Sequence, residues 1–420
     1  MTAGMSQTWK RRAALGARGR LLGTVAVAAA WTVGMAVAAP SAVAMDVQSK
    51  QWYLSAMHAE EMWEITTGEG ISVAVIDTGV NASTPSLKGQ VLKGFDATGA
   101  EGNEYDDYRG HGTTMAELIA GTGKGGGLRG LAPGAKIIPL RITDTEFQNE
   151  HSVNAYDAED AIRAAADSDA QIISMSAGSD FPTDKERDAV KYAEQKGKLF
   201  FASVGNNAKE GNKKQFPASY PQVVGVAATE SSGKASAYSQ HGDAVDIAAP
   251  GDGIPTWCDA KFEDYCESEG GTSQATAITA ASAALIWSAH PDWTANQVLK
   301  VLFDTAGKSA DWEKGTVSNY LGHGIIRPAV NILKGTGDPG PADISPLTQE
   351  QTSGSPASAT PSASASSQPE KKEKASDAAM AGSSTEKDDG GHLGLIVGGA
   401  AAVVLLGGGA FVYARKRRTA

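Results

Sequence analysis

Asp77, His111 and Ser273 are the residue types that turn a hydroxyl into a nucleophile. Each sits in a glycine-bearing string: VAVIDTG at 73–79, HGTTMAELIAG at 111–121 and GTSQAT at 271–276. A serine hydroxyl attacks poorly at neutral pH unless a base takes its proton. Imidazole titrates near that pH, which makes His111 the base. Asp77 then orients the ring and stabilises the imidazolium. The order Asp, His, Ser is one of the few chain orders in which this constellation occurs. Singly, each has a plainer reading: an Asp after a strand is often a turn residue and a Ser before a helix a cap. Their coincidence carries the assignment. Histidines 58, 151, 241, 290, 323 and 392 lie in no comparable string and read as surface or structural.

Attack on a carbonyl creates an oxyanion, which needs donors. A helix opening at Ser273 and running to about 289 places the Ser273 N–H at a positive dipole end. Asn206, in SVGNN at 203–207, supplies a second donor through its side-chain amide. Loss of one such donor costs about 10²–10³ in turnover.

These residues must be positioned by a scaffold, and apolar runs supply it. Residues 71–76, 136–142, 171–175, 198–204, 223–228 and 245–248 read as strands buried on both faces, as in a parallel sheet. Helices fit between them. Thr183 with Glu186 predicts a capping box opening a helix that ends near Gly197, Thr294 with Gln297 opens another, and 155–166 is a third. The alternation predicts an open α/β fold, a mostly parallel sheet with helices on both faces. Ligands bind beyond the carboxyl ends of such strands. Asp77, Ser176, Ala177, Gly178, Gly205 and Asn206 all follow strand ends.

The chain has 420 residues, but its ends differ from this body. Five basic residues and no acid in 1–20, an apolar run at 21–39 and Ala42-Val43-Ala44 predict a signal peptide over 1–44, with an uncleaved signal anchor as the alternative. An extension at 45–70 precedes a peptidase domain at 71–335. Residues 336–391, rich in Pro, Ser and Ala, read as a disordered linker. Residues 393–414 carry no charge and are followed by Arg415-Lys416-Arg417-Arg418. That pattern predicts one C-terminal transmembrane helix and a cytoplasmic tail at 415–420, rather than a buried core helix. The expected location is the cell membrane, single-pass, with the body outside. In that oxidising compartment Cys258 and Cys266 are expected to form a disulfide, the alternative being two free buried thiols. A net charge of −11 argues against nucleic acid as a partner.

The strings around Asp77, His111 and Ser273, with SMSAG at 174–178 and Gly205-Asn206, resemble the blocks of the subtilisin-like serine peptidases over about 65–334. The resemblance implies a subtilisin-like fold, Asp77, His111 and Ser273 as the triad and Asn206 as oxyanion donor. It makes 176–178 an edge with which an extended substrate backbone pairs, and Ala202 and Gly205 parts of the pocket wall. The whole layout, with GLRGLAPGAKIIPLRI at 127–142, is similar to the mycosins, membrane-anchored relatives associated with type VII secretion in actinobacteria. That implies exported proteins or peptides as substrates and the secretion membrane complex as partner, with no cofactor.

The sequence departs from that pattern in places. Ala277 stands where many relatives have Pro, and Glu117 replaces a small residue, either facing solvent or altering the packing behind His111. No long inhibitory segment fits between Ala44 and the domain, so 45–70 is expected to wrap on the body without blocking it. Glu101, Glu104, Asp106 and Asp107 read as a solvated acidic loop rather than a calcium site, and no metal site is placed. Two other readings compete with an active endopeptidase. One is a structural component of the secretion complex with secondary or lost proteolysis. The other, an ester-cleaving α/β-hydrolase, needs G-x-S-x-G and the order Ser, Asp, His, and the chain has neither.

Overall fold

The apolar runs become strands because β-branched and aliphatic residues on both faces favour a sheet covered on both sides. The computed structural model describes residues 46–143, 148, 158–309, 312–313 and 315–352. In chain order the strands are β1 (Ser72–Asp77), β2 (Phe95–Asp96), β3 (Lys136–Arg141), β4 (Ile172–Met175), β5 (Leu199–Ser203), β6 (Val224–Thr229) and β7 (Ile247–Pro250). They form one sheet of order β2-β3-β1-β4-β5-β6-β7 in which every pairing is parallel. A two-stranded antiparallel hairpin, β8 (Thr256–Trp257) and β9 (Tyr265–Cys266), stands apart from it.

Side chains alternate along each strand, so the sheet feeds two cores. Val73, Val75, Leu199 and Phe201 enter one, with helices α3 (His111–Ala120), α6 (Thr272–Ala289) and α7 (Ala295–Thr305). Ala74, Ile76, Phe200 and Ala202 enter the other, with α4 (Ala158–Asp167) and α5 (Asp184–Gln195). Each large aliphatic or aromatic side chain so buried contributes about 1.5–3 kcal/mol. Helix α6 runs through the first core and is buried from Thr272 to Trp287. Its hydroxyls leave no orphan there: Thr276, Thr279 and Ser282 each donate to the carbonyl four residues back, at 2.7–2.8 Å.

The helix signals hold in part. Thr294 and Gln297 form the full reciprocal box at the start of α7. Thr183 Oγ1 accepts from the Glu186 N–H, but the Glu186 carboxylate turns inward to accept from the Tyr220 hydroxyl instead of closing the box. Gly197, at φ +72°, ends α5 as expected. Helix α4 begins at Ala158, and the expected residues before it lie outside the described part.

Residues 46–66 lie on the first core. Short helices α1 (Trp52–Ala56) and α2 (Ala59–Trp63) insert Tyr53 and Met62, both fully buried. The Gln51 side chain donates to the Arg129 carbonyl (2.7 Å) and accepts from the Arg129 N–H (2.8 Å). At the other end the body continues past the expected boundary at 335. After α8 (Pro328–Lys334), the Ala342 carbonyl accepts from Thr294 Oγ1 at 2.8 Å and Thr352 Oγ1 from Asn296 Nδ2 at 2.8 Å. The start of the expected linker is therefore tied to the side chains at the N-terminus of α7. The expected signal, the rest of the linker, the transmembrane span and the tail lie outside the described residues. Among the described residues, no helix is long and apolar enough to cross a membrane.

Candidate active site

Strands β1, β4 and β5 are neighbours, so their carboxyl ends deliver Asp77, Ser176–Gly178 and Gly205-Asn206 to one edge of the sheet. Helices α3 and α6 pack on each other and begin at that edge with His111 and Thr272. The sheet thus brings the predicted residues together from five separate parts of the chain.

Asp77 is 3% exposed and its Oδ1 lies 2.7 Å from His111 Nδ1. The imidazole is 36% exposed, so its other nitrogen is free to meet solvent or substrate. Burial alone lowers the His111 pKa, but the charge and hydrogen bond of Asp77, with the charge of Asp107, outweigh it and raise the pKa above 6.5. A Cβ at Gly112 would stand 2.2 Å from the Gly79 carbonyl oxygen and 3.0 Å from the Asp77 Cβ, so only glycine lets the helix start this close.

Asp107, expected in a solvated loop, is buried and holds the start of α3. Its Oδ1 accepts from the Thr78 hydroxyl (2.8 Å) and the N–H groups of Gly110 (2.9 Å) and Arg109 (3.0 Å). Its Oδ2 accepts from the N–H (2.8 Å) and hydroxyl (2.7 Å) of Thr113. An anion at a helix N-terminus satisfies orphan donors and complements the dipole. Thr78 joins this group to the rest of the site. Its hydroxyl accepts from the Gly112 N–H (3.0 Å), and its own N–H donates to Asp77 Oδ1 (2.8 Å). Two other acids of that loop are engaged locally. Glu104 accepts from the Gly94 N–H and Asp106 from the Asn103 N–H, while Arg141 reaches the backbone carbonyl of Glu101 and the Asp96 carboxylate. No group of three or more His, Cys, Asp or Glu is placed to hold a metal among the described residues.

Ser273 is the second residue of α6, not its first, so its N–H is among the four that have no carbonyl partner within the helix. Its Oγ is 3.5 Å from the Ser176 carbonyl oxygen and makes no hydrogen bond to His111. Staggered rotamers separated by about 120° let a serine hydroxyl redirect without backbone change, and such bonds commonly tighten only with substrate present. Beside it, Asn206 Oδ1 accepts from the Thr272 N–H (2.9 Å) and hydroxyl (3.0 Å). Two donors on one atom fix that atom as oxygen, which leaves the amide N–H₂ as a donor next to Gly271. The Thr272 hydroxyl also accepts from the Gly205 N–H at 3.2 Å. Gly205 has φ +103°, and a Cβ there would meet Gln240 Oε1 at 1.8 Å.

Residues 176–178 follow β4 without regular secondary structure, and the chain pairs again at Ser179, with Phe216. Their backbone groups form no backbone hydrogen bonds among the described residues. Ala202 is placed differently from expectation. As the neighbour of Phe201 on β5 it points to the opposite face and is fully buried in the second core, so it backs the strand rather than lining an open wall.

Cys258 and Cys266 form a disulfide across the β8–β9 hairpin. Glu117 does not face solvent. It is fully buried, accepting from Thr84 Oγ1 (2.8 Å) and the Tyr265 hydroxyl (2.7 Å), and burial pushes its pKa up to about 7. Asp107 and Tyr265 are the site-supporting residues that sequence reasoning missed. No signal in the string of turn formers before His111 separates Asp107 from Asp106.

A model of the subtilase family of peptidases matches residues 68–324. Thermitase of Thermoactinomyces vulgaris is 33% identical over 278 residues, 65% of this chain and 95% of that protein. A thermophilic serine proteinase of a Bacillus strain is 37% identical over 234 residues, and there the chain spans 55% of the relative's length. Among solved structures, MycP1 from Mycobacterium smegmatis superposes with TM-score 0.58 and 26% identity, covering 71% of this chain and 88% of that one. The MycP3 protease from a type VII (ESX-3) secretion system superposes with TM-score 0.56 and 29% identity, covering 70% and 90%.

Proposed function

This chain belongs to the subtilase family, and from that premise we propose that it is a serine endopeptidase acting through Asp77, His111 and Ser273. The observation that carries the reading is the 2.7 Å contact of His111 Nδ1 with Asp77, at the start of a helix packed against the one that carries Ser273. With Nδ1 donating to Asp77, Nε2 is left as acceptor for the serine proton. Ser273 Oγ attacks the scissile carbonyl as His111 takes that proton. The oxyanion is met by the Ser273 N–H and the Asn206 amide. His111 then gives the proton to the leaving amine, and water releases the acyl group by the same steps in reverse. The backbone of 176–178, which makes no backbone hydrogen bonds among the described residues, supports pairing with an extended peptide that aligns the scissile bond.

We further propose that the body is exported and tethered through 393–414, with the peptidase domain outside and 415–420 in the cytoplasm. The apolar span and its basic flank support this topology. The likeness to MycP1 and MycP3 supports exported proteins as substrates and a type VII-like secretion complex as partner. Labelling with a fluorophosphonate tests the reading. Label on Ser273 in the wild-type protein, and none in Ser273→Ala with an unchanged Tm, is the expected result. A folded wild-type protein that takes no label supports a structural role in the complex. Peptide cleavage surviving in Ser273→Ala removes the assignment.

A further inference from the structure

Glu117 lies six residues beyond His111 on α3, about 9 Å along the helix axis at 1.5 Å per residue, and so touches neither His111 nor a substrate. Its carboxyl is nonetheless fully buried and bonded outward, to the disulfide hairpin. Tyr265 donates to Glu117 Oε2 at 2.7 Å and accepts from the Leu128 N–H at 3.3 Å. On the opposite strand the Trp257 N–H donates to Thr114 Oγ1 at 3.0 Å, and the Trp257 ring stacks on Tyr265 with centroids 3.8 Å apart. The Trp257 indole N–H faces the same carboxyl but lies outside hydrogen-bonding geometry. The hairpin therefore holds α3 at two successive turns, and the residues after Tyr265 lead straight into Gly271 and Ser273.

Resting on the reading of His111 as base and Ser273 as nucleophile, we propose that Glu117 and Tyr265 are positioning residues. Together they lock the His111 helix to the hairpin that leads into Ser273, so base and nucleophile, 162 positions apart in the chain, are held as one body. The groups facing the Glu117 carboxyl are Thr84 from the loop after β1, and Trp257 and Tyr265 from the hairpin. Tyr265 alone of these titrates. Burial and the Glu117 charge push its pKa far above the ordinary range, so it remains a donor. Helix α6 carries no charged residue. Of the charged residues at the ends of β1 and β3, Asp77 binds His111, Lys136 binds Gly89 and Gln90, and Arg141 reaches Asp96.

The test uses the membrane-bound full chain for labelling and cleavage, with Tyr265→Phe, Glu117→Gln and Glu117→Ala. His111 titration is followed by NMR in detergent in the same proteins. Tyr265→Phe and Glu117→Ala are expected to lower kcat and the labelling rate between about 10- and 100-fold with KM unchanged, because small misplacements of reacting groups cost that much. Both should also lower the His111 pKa as its Asp77 contact loosens. Glu117→Gln retains an acceptor for Tyr265 and is expected to stay within about threefold of wild type. A folded Tyr265→Phe protein that matches wild type in kcat and His111 titration would overturn the proposal, as would a loss confined to Tm. If the wild-type protein takes no label while Tyr265→Phe still moves the His111 titration, the peptidase reading falls and the positioning role stands.

Discussion

Asp107 meets Thr113 twice, its Oδ2 accepting from both the backbone N–H at 2.8 Å and the hydroxyl at 2.7 Å. This pair, rather than any residue that touches a substrate, sets where the His111 helix begins.

Asp107→Ala orphans these two donors and the N–H groups of Arg109 and Gly110, and leaves the Thr78 hydroxyl only its longer bond to Asp77. Lost capping and uncompensated burial are expected to cost roughly 3 kcal/mol of stability. Turnover should fall at least tenfold in protein that remains folded. Urea denaturation and steady-state kinetics on Asp107→Ala and Asp107→Asn check this. Variants within experimental error of wild type in both would show that Thr78 and Gly112 suffice to seat the helix.

As the proposed base, His111 must be neutral to accept the serine proton, and its raised pKa shifts the acid limb of kcat/KM up from the ordinary imidazole range. Asp77→Asn removes the charge that opposes burial, so the limb moves to lower pH. The same change lowers kcat by about 10⁴, because the wrong tautomer is favoured. Profiles of kcat/KM against pH for the two proteins decide it. An acid limb that stays in place in Asp77→Asn would mean that another carboxylate controls the ring.

Glu117 also makes stability depend on pH. Its folded value is raised from 4.5 to about 7, so the folded state binds the proton more tightly than the unfolded chain. The stabilisation is fully present below about pH 4.5 and is lost as pH rises through about 7, a swing of roughly 3 kcal/mol. Glu117→Gln should flatten this slope and stand above wild type in relative stability at pH 8. Chemical denaturation between pH 4.5 and 8 measures both, and parallel curves would contradict the account.

Much of this architecture was legible because it follows from pattern. Six apolar runs gave six strands to within two residues at each end, and the Thr294 box marked the start of α7. The catalytic strings were legible because glycines must flank them, as the crowding at Gly112 and Gly205 explains. The rest depended on distant contacts. Nothing local separates Asp107, with five donors, from Asp106 beside it. Glu117 is buried only because Thr84 and Tyr265 arrive from elsewhere in the chain. The strands β2, β8 and β9, two residues each, are too short to show any alternation. Residues 336–342 look like linker by composition, yet they complete the end of a helix.

The link from Gly205 through Thr272 to Asn206 has a consequence for timing. With its oxygen claimed twice by Thr272, the Asn206 amide cannot turn over, and its hydrogens are aimed before any peptide arrives. A polar group already oriented need not rearrange while the bond is breaking. Under the proposed mechanism, acylation should therefore begin on mixing, with no lag.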